Sequence, residues 1–299
     1  MTNIEHRCGY VAVIGRPNVG KSTLVNALVE HKVSIVSDKP QTTRNRIHGI
    51  RSTPGSQMVF IDTPGVHAGH NKPINRLMNK AATSAIPDAD VSLFMVAAPC
   101  WNEADDQVLR CFDTGSGKVI LVLNKIDKIQ GDKALLPLLA DLKERGRFAA
   151  IVPVSATKGR NLEQLINVVE QQLPVGSPIF DNELYTDQSM RFLAAEVIRE
   201  RLMDALHDEL PYALAVSIDD FDEQKGMVKI AATVWVEKAG QKGIVIGKGG
   251  RILKLVGTES RKVIESIVGC KVHLVLWVKV REGWSEDVGQ LRKFGIGEQ

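Results

Sequence analysis

The sequence predicts two domains: an α/β domain with a mainly parallel sheet over residues 1–178, and a smaller α+β domain over residues 179–299. Three observations carry this. From Gly9 to Leu173, near-continuous apolar runs alternate with helical patterns, as in strands covered by helices on both faces. Leu173-Pro174-Val175-Gly176-Ser177-Pro178 has the composition of a linker. Beyond it the order of elements changes to α-β-β-α-α-β.

In the first domain, strands are expected at residues 10–14, 58–61, 91–96, 119–123 and 150–154, with helices at 21–30, 74–86, 103–113, 132–145 and 161–172. In the second, an amphipathic helix over 188–208 precedes strands at 212–219 and 227–237. A short helical piece then meets Gly247-Lys248-Gly249-Gly250, a helix follows over 251–268, and the last strand is 272–280.

A chain of 299 residues with 44% hydrophobic and 24% charged residues has apolar material for two cores. Met1 to Arg7 carry no apolar stretch of the secretory kind, and no apolar run reaches the ~18 residues that span a bilayer. A cytoplasmic protein is the expectation. Cys8, Cys100, Cys111 and Cys270 lack metal-ligand spacing and read as reduced thiols. Charge is uneven. Residues 181–237 hold thirteen acidic against five basic residues and read as a solvated face, whereas 238–279 hold nine basic against two acidic. Such a segment attracts a polyanion locally.

Gly15-Arg16-Pro17-Asn18-Val19-Gly20-Lys21-Ser22 fits G-x-x-x-x-G-K-[ST] at a strand–helix junction, with Thr23 next in the helix. The glycines let backbone N–H groups close around a β-phosphate, and the helix N-terminus favours the anion. Lys21 places its charge on the β- and γ-phosphates, and Ser22 offers a hydroxyl to Mg²⁺.

Asn124-Lys125-Ile126-Asp127 ends the strand at 119–123. The Asp127 carboxylate can accept from guanine N1–H and N2–H₂, a donor pair that adenine lacks. Asn124 would tie this loop to the phosphate loop, and Lys125 can lay its stem along the purine face. Ser155-Ala156 can offer a backbone N–H to guanine O6. In Asp62-Thr63-Pro64-Gly65, Asp62 is placed to hold Mg²⁺ through a water, and the Gly65 amide to sense a γ-phosphate. Pro40-Gln41-Thr42-Thr43-Arg44 supplies a threonine for the metal. Thr42 and Thr43 are adjacent candidates, with Thr43 preferred. The pattern predicts GTP or GDP with Mg²⁺, with Asn18, Lys21 and Thr43 as the residues nearest the chemistry and Ser22, Thr43 and Asp62 around the metal.

Residues 9–173 thus resemble a translation-factor-type small GTPase domain with all five signature boxes. They depart from the Ras pattern at Val66, where the resemblance implies a glutamine that orients the attacking water. Slow intrinsic hydrolysis is therefore expected, with another group or a cation supplying the missing stabilisation. By resemblance to GTPases with G-x-P-N-x-G-K-S, Asn18 is a candidate K⁺ ligand. The alternative is a turn residue that hydrogen-bonds its own loop.

Gly247-Lys248-Gly249-Gly250 fits the G-x-x-G loop of KH domains. Gly240-Gln241-Lys242-Gly243 fits as well, but only the former joins two predicted helices, with Arg251 and Lys254 just after it. A tight glycine loop lets a nucleic-acid strand approach the backbone while Lys248, Arg251 and Lys254 neutralise phosphates. The α-β-β-α-α-β order fits a type II KH domain. Trp235, Trp277 and Trp284 are candidates for base stacking, at least one of them being core.

A P-loop GTPase domain followed by a type II KH domain resembles the Era family of ribosome-associated GTPases. The resemblance covers nearly the whole chain. It includes Gln41-Thr42-Thr43-Arg44, Asn75-Arg76-Leu77-Met78-Asn79-Lys80-Ala81-Ala82, Glu209-Leu210-Pro211-Tyr212 and His273-Leu274-Val275-Leu276-Trp277-Val278-Lys279-Val280. It implies binding of the single-stranded 3′ end of 16S rRNA, a role in 30S ribosomal subunit maturation, and RNA preference coupled to the nucleotide. It also implies a peripheral contact with the inner membrane, for which the residues show no lipid-binding feature. A monomer is expected. The competing reading is an RNA-binding assembly factor in which nucleotide only modulates conformation.

Overall fold

The computed structural model describes residues 5–39, 41–66, 72–113, 117–129, 132–206 and 213–297. Pro40 and the Glu209–Tyr212 stretch, with the expected end of the 188–208 helix and the start of the 212–219 strand, lie outside the described residues. The first sheet contains β1 (Arg7–Gly15), β2 (Ile47–Ser52), β3 (Ser56–Asp62), β4 (Val91–Ala97), β5 (Lys118–Asn124) and β6 (Ala150–Pro153). Their spatial order is β2-β3-β1-β4-β5-β6, parallel throughout except for β2 against β3. Helices α1 (Lys21–Val29) and α5 (Leu162–Gln172) cover one face, where Leu24, Val25, Leu28, Leu165 and Val169 meet Val11, Val13 and Phe60. Ala85 and Ile86, just after α2 (Pro73–Ser84), with α3 (Glu103–Arg110) and α4 (Asp132–Glu144), cover the other, against Ala12, Ile14, Phe94 and Leu121. Each such apolar side chain contributes about 1.5–3 kcal/mol on burial, which is why the strands are apolar on both faces.

β2 was not expected. Ile47-His48-Gly49-Ile50-Arg51-Ser52 has no continuous apolar run because only one side is covered, as its mixed burial shows. Gly49 permits the close fit onto α1: a Cβ there would lie 2.8 Å from Val29 Cγ2.

The second domain begins with α6 (Met190–Ala205). It continues through β7 (Leu214–Gln224), β8 (Met227–Val236), α7 (Ala239–Ile246), α8 (Arg251–Val268) and β9 (Lys271–Val280), and ends in α9 (Val288–Lys293). The sheet order is β7-β8-β9, with β7–β8 antiparallel and β8–β9 parallel. The expected α-β-β-α-α-β order is present, with α9 added. β7 runs five residues further than expected, because residues 220–224, three of them acidic, pair with 227–231 in a hairpin closed at Gly226, whose φ is +81°. Helices α6 and α8 pack on one face of this sheet through Val197, Ile198, Leu202, Val256 and Ile264.

The connection follows the first domain further than its composition indicates. The N–H groups of Ile179 and Phe180 donate to Gln57 Oε1 at 2.7 and 2.9 Å, Ile50 N donates to Tyr185 O at 2.9 Å, and Thr186 Oγ1 donates to His48 O at 2.7 Å. The expected boundary at 178/179 falls inside this strap, and α6 is the first element packed on the second sheet. The two domains share a further apolar cluster, in which Ile74 and Met78 of α2 meet Ala215, Trp284, Leu291 and Ile296. Among the described residues, no helix is long and apolar enough to cross a membrane, and all four cysteines are free.

Trp284 is fully buried in the shared cluster, edge-on to Phe294 at 5.4 Å between ring centroids. Trp284→Ala is expected to cost about 3–5 kcal/mol, read as a lower urea midpoint for the KH-like domain.

Candidate functional site

In the parallel part of the sheet, β1, β3, β4, β5 and β6 end at one edge, where ligands of such folds sit. Residues 15–22 turn there from β1 into α1. Gly15 and Gly20 are both required by sterics: a Cβ on Gly15 would lie 2.6 Å from Met95 O, and one on Gly20, whose φ is +98°, would lie 2.4 Å from Asn124 Nδ2. Lys21 Nζ donates to the carbonyls of Gly15 and Arg16, each at 3.1 Å, and so curls along the loop. Burial pushes its ammonium down to about 8, with the Asp62 carboxylate opposing that shift. A phosphate in the loop would supply the missing counter-charge. Arg16 pairs through Nε with buried Asp105 Oδ1 at 3.0 Å and anchors the loop to α3. Val19 is buried under the loop, whereas Pro17, Asn18, Ser22 and Thr23 line a cleft of about 790 Å³ including its open mouth.

Asn124 joins the loops. Its Nδ2 donates to Val19 O at 2.8 Å, and its Oδ1 accepts from Ala156 N at 3.1 Å. The first bond is the tie expected from the sequence. The second engages the Ala156 amide, one of the two that Ser155-Ala156 could offer to guanine O6, and the Ser155 amide is likewise engaged, with Arg160 O at 3.2 Å. Both amides brace the base loop here. Lys125, at φ +64°, donates to Asn18 O at 2.6 Å and lines the cleft. Ile126 N bonds Val154 O at 3.2 Å, which sets the height of the exposed Asp127. Ser155 Oγ donates to Asp127 Oδ1 at 2.5 Å, and this bond holds the carboxyl below its ordinary value, ionised as a guanine acceptor must be.

Ser22 Oγ and Thr43 Oγ1 lie 2.8 Å apart, and Thr43 Oγ1 is 3.5 Å from Asp62 Oδ2. Thr42 Oγ1 instead donates to Lys39 O at 2.6 Å, so of the two adjacent threonines Thr43 is the one beside Ser22 and Asp62. Burial raises the Asp62 carboxyl, while the hydroxyls of Ser22, Ser34 and Thr43 and the Lys21 charge act against it. Asp62 Oδ1 is buried without a hydrogen-bond partner among the described residues. An orphaned carboxylate oxygen beside two hydroxyls fits a hard divalent cation.

Thr63 Oγ1 donates to Val13 O at 2.6 Å and fixes the chain as it leaves β3. Pro64 and Gly65 are buried, and a Cβ on Gly65 would lie 2.7 Å from the Pro17 backbone nitrogen. Val66 N donates to Gly15 O at 3.2 Å and its side chain packs on the sheet core, so position 66 presents no polar group to the cleft. Asn18 does not close its own loop, as its turn reading would have it: its Nδ2 donates to Asp38 O at 2.8 Å.

In the second domain, Gly247, Gly249 and Gly250 have φ of +73°, +62° and +78°, and Gly247 approaches Ile252 so closely that a Cβ would meet its backbone nitrogen at 3.0 Å. Lys248, Arg251 and Lys254 are exposed. A groove runs from Gly250 past Leu253, Lys254 and Arg261 to Leu274 and Leu276 of β9. Arg261 and the leucine floor were missed, because the middle of α8 and the strand β9 that follows it meet only in the fold. Gly240 and Gly243 lie inside α7, which removes the second G-x-x-G match. Of the tryptophans proposed for stacking, Trp284 is core, Trp235 is packed on Phe294, and Trp277 is 59% exposed.

Residues 10–125 match the family described as 50S ribosome-binding GTPase, and residues 209–285 match the KH domain. GTPase Era of Stenotrophomonas maltophilia (strain K279a) is 49% identical over 290 residues, 97% of each chain. The chain belongs to the Era family of GTPases. GTPase Era of Xanthomonas oryzae pv. oryzae (strain MAFF 311018) is 48% identical over 99% of each chain. Two solved Era structures superpose with a TM-score of 0.94 at 38% identity, covering 97% of this chain and 99% of theirs. One is a point variant from Aquifex aeolicus bound to GDP·AlF₄⁻; the other is a complex with MgGDPNP and nucleotides 1506–1542 of 16S ribosomal RNA. As a member of the Era family, the chain is an enzyme that hydrolyses GTP.

Because Gly65 has no room for a Cβ, Gly65→Ala should push residues 65–66 off the phosphate loop. The affinity for GDPNP is expected to fall at least about tenfold, a coupling of ~1.4 kcal/mol, with GDP affinity nearly unchanged in titrations with a fluorescent nucleotide.

Proposed function

We propose that the chain is a GTP-timed holder of 16S rRNA, which grips the single-stranded 3′ end in its GTP form and assists 30S ribosomal subunit maturation before hydrolysis releases it. The observation that carries the reading is the pairing of two sites in one chain: a phosphate cleft with an exposed, ionised guanine acceptor on its neighbouring loop, and a groove lined by Lys254 and Arg261 next to the glycine loop that carries Lys248 and Arg251. The 16S fragment held by the Era relative of the same fold supports the choice of the small subunit.

In this reading Asp127 selects guanine and Lys125 covers the purine. The amides of residues 15–22 cradle the phosphates, and Lys21 uncurls from the loop carbonyls onto the β- and γ-oxygens. Ser22, Thr43 and Asp62 would hold Mg²⁺, which when bound neutralises charge on the β- and γ-phosphates. The Gly65 amide would reach the γ-phosphate. Val66 leaves the attacking water without an orienting side chain from that position, so turnover is slow until a further factor or cation contributes. Asn18 would serve as a K⁺ ligand through Oδ1, its amide nitrogen being a donor only, and that nitrogen donates to Asp38 O. Equal single-turnover rates in K⁺ and Na⁺ buffers would remove that role.

Asp127→Asn is expected to weaken GTP binding by about two orders of magnitude and favour xanthosine nucleotide; unchanged GTP affinity would refute the base assignment. For the RNA site, alanine at Lys248 and Arg251 together should weaken binding of a 16S 3′-end oligonucleotide and lower the slope of log affinity against log salt by about 1–2. Parental affinity and slope would exclude the glycine loop as a phosphate contact.

A further inference from the structure

Helix α6 belongs to the RNA-binding domain, yet its charged side chains act on the segment that carries Thr43. Arg199 is 3% exposed, is clamped by Glu196 at 2.7 and 2.5 Å, and donates from Nη2 to the Thr42 carbonyl. Glu200, also 3% exposed, accepts from Val36 N at 2.9 Å and from Lys32 Nζ. Lys39 Nζ donates to the carbonyls of Met203 and Leu206, where α6 ends and its last carbonyls lack helical donors. Arg44 Nη1 donates to Leu214 O at 2.8 Å at the start of β7. The segment between Lys32 and Arg44 is thus held along its length by one helix and one strand end of the other domain. On its far side, Gln41 Nε2 donates to Asn75 Oδ1 of α2 at 2.9 Å.

Among the described residues, the side-chain bonds of Thr42 and Thr43 are few: Thr42 Oγ1 donates to carbonyls of its own turn, and Thr43 is tied to the cleft by the hydroxyl contact with Ser22 and the long one to Asp62. The peptide joining these two threonines begins at the carbonyl that Arg199 holds. Because a peptide unit is planar, fixing that oxygen fixes the Thr43 nitrogen and restricts where its side chain can reach. Arg199 has no freedom to follow a moving carbonyl, since Glu196 takes two of its donors and the helix is packed on β7 and α8.

We propose that Arg199 and Glu200 are positioning residues of the GTPase site, supplied by the RNA-binding domain: by holding the Thr42 carbonyl and the Val36 amide, they set the place of Thr43 relative to Ser22 and Asp62. The inference rests on Thr43 being the residue that acts on the metal and γ-phosphate side of the cleft. It makes the GTP-bound arrangement of the cleft a property of both domains. It also gives the groove a route to the cleft, because α8, whose N-terminus carries the glycine loop, packs on α6 through Val197, Ile198, Val256 and Ile264.

The test uses the full chain without RNA. Arg199→Ala is expected to lower the single-turnover GTP hydrolysis rate and the GDPNP affinity about tenfold each, within the usual span of coupled sites. GDP affinity should stay within about twofold, because GDP does not engage Thr43. Arg199→Lys keeps the charge beside Glu196 and one donor for Thr42 O, and should recover part of both losses. Lys39→Met removes a half-exposed side chain and leaves the cores intact, so it reports even where Arg199→Ala fails to fold. It is expected to cut the preference for GDPNP over GDP about threefold. Parental hydrolysis and parental GDPNP preference in folded Arg199→Ala and Lys39→Met proteins, or in Lys39→Met alone where Arg199→Ala does not fold, would overturn the inference, as would equal losses for GDP and GDPNP. A parental rate in Thr43→Ala would instead refute the assignment of Thr43 on which it rests.

Discussion

Helix α6 is buried on two sides, against the sheet of its own domain and against residues 36–44 of the other, and this double burial constrains the rest of the molecule. A helix so placed cannot be amphipathic in the ordinary way: Arg199 and Glu200 are as buried as Val197 and Ile198. Buried charges persist only when paired and hydrogen-bonded, and removing one partner of such a pair costs about 3–5 kcal/mol. Here part of the pairing comes from the first domain, through the Thr42 carbonyl, the Val36 amide and Lys32. The angle between the domains and the path of residues 36–44 are therefore solved together. The apolar cluster of Ile74, Met78, Trp284 and Ile296 adds a second, non-directional contact that resists separation without fixing register.

The nucleotide cleft depends on a smaller version of the same logic. One carboxamide, Asn124, holds the phosphate loop with its nitrogen and the base loop with its oxygen. Gly20 must be glycine for that amide to fit. Arg16 and Asp105 fasten the loop to α3, and Asn26 fastens α1 to the chain entering residues 35–44, accepting from Val33 N and Ser34 N at 3.0 and 2.9 Å. The loops are braced by their own side chains, while Lys21 and Asp62 carry charges left under-compensated by burial. Such a site is organised for a polyphosphate and a cation before either arrives.

Much of this was legible in the sequence where function restricts the backbone over a short span. Gly15, Gly20 and Lys21, Asn124 and Asp127, and Gly247 to Gly250 announce themselves because few residues satisfy positive φ, close approach or a bidentate acceptor. The parallel strands were legible because burial on both faces leaves near-continuous apolar runs. β2 was hidden by its half-covered, mixed pattern, and α9 by its six-residue length. The choice between Thr42 and Thr43 depends on the direction of adjacent side chains, which spacing does not encode. The role of Arg199 and Glu200 was illegible for a deeper reason. Their partners lie more than 150 residues away, and a charged pair in an acidic segment reads as solvated surface until the second domain is seen to cover it.

The claim that α6 and segment 36–44 are coupled through Arg199 and Glu200 is tested most directly by amide hydrogen exchange of the full chain with GDP and with GDPNP. The account predicts that amides of residues 41–45 and of the last two turns of α6 change protection together between the two nucleotides. A change confined to residues 36–44, with α6 exchanging identically in both states, would contradict it.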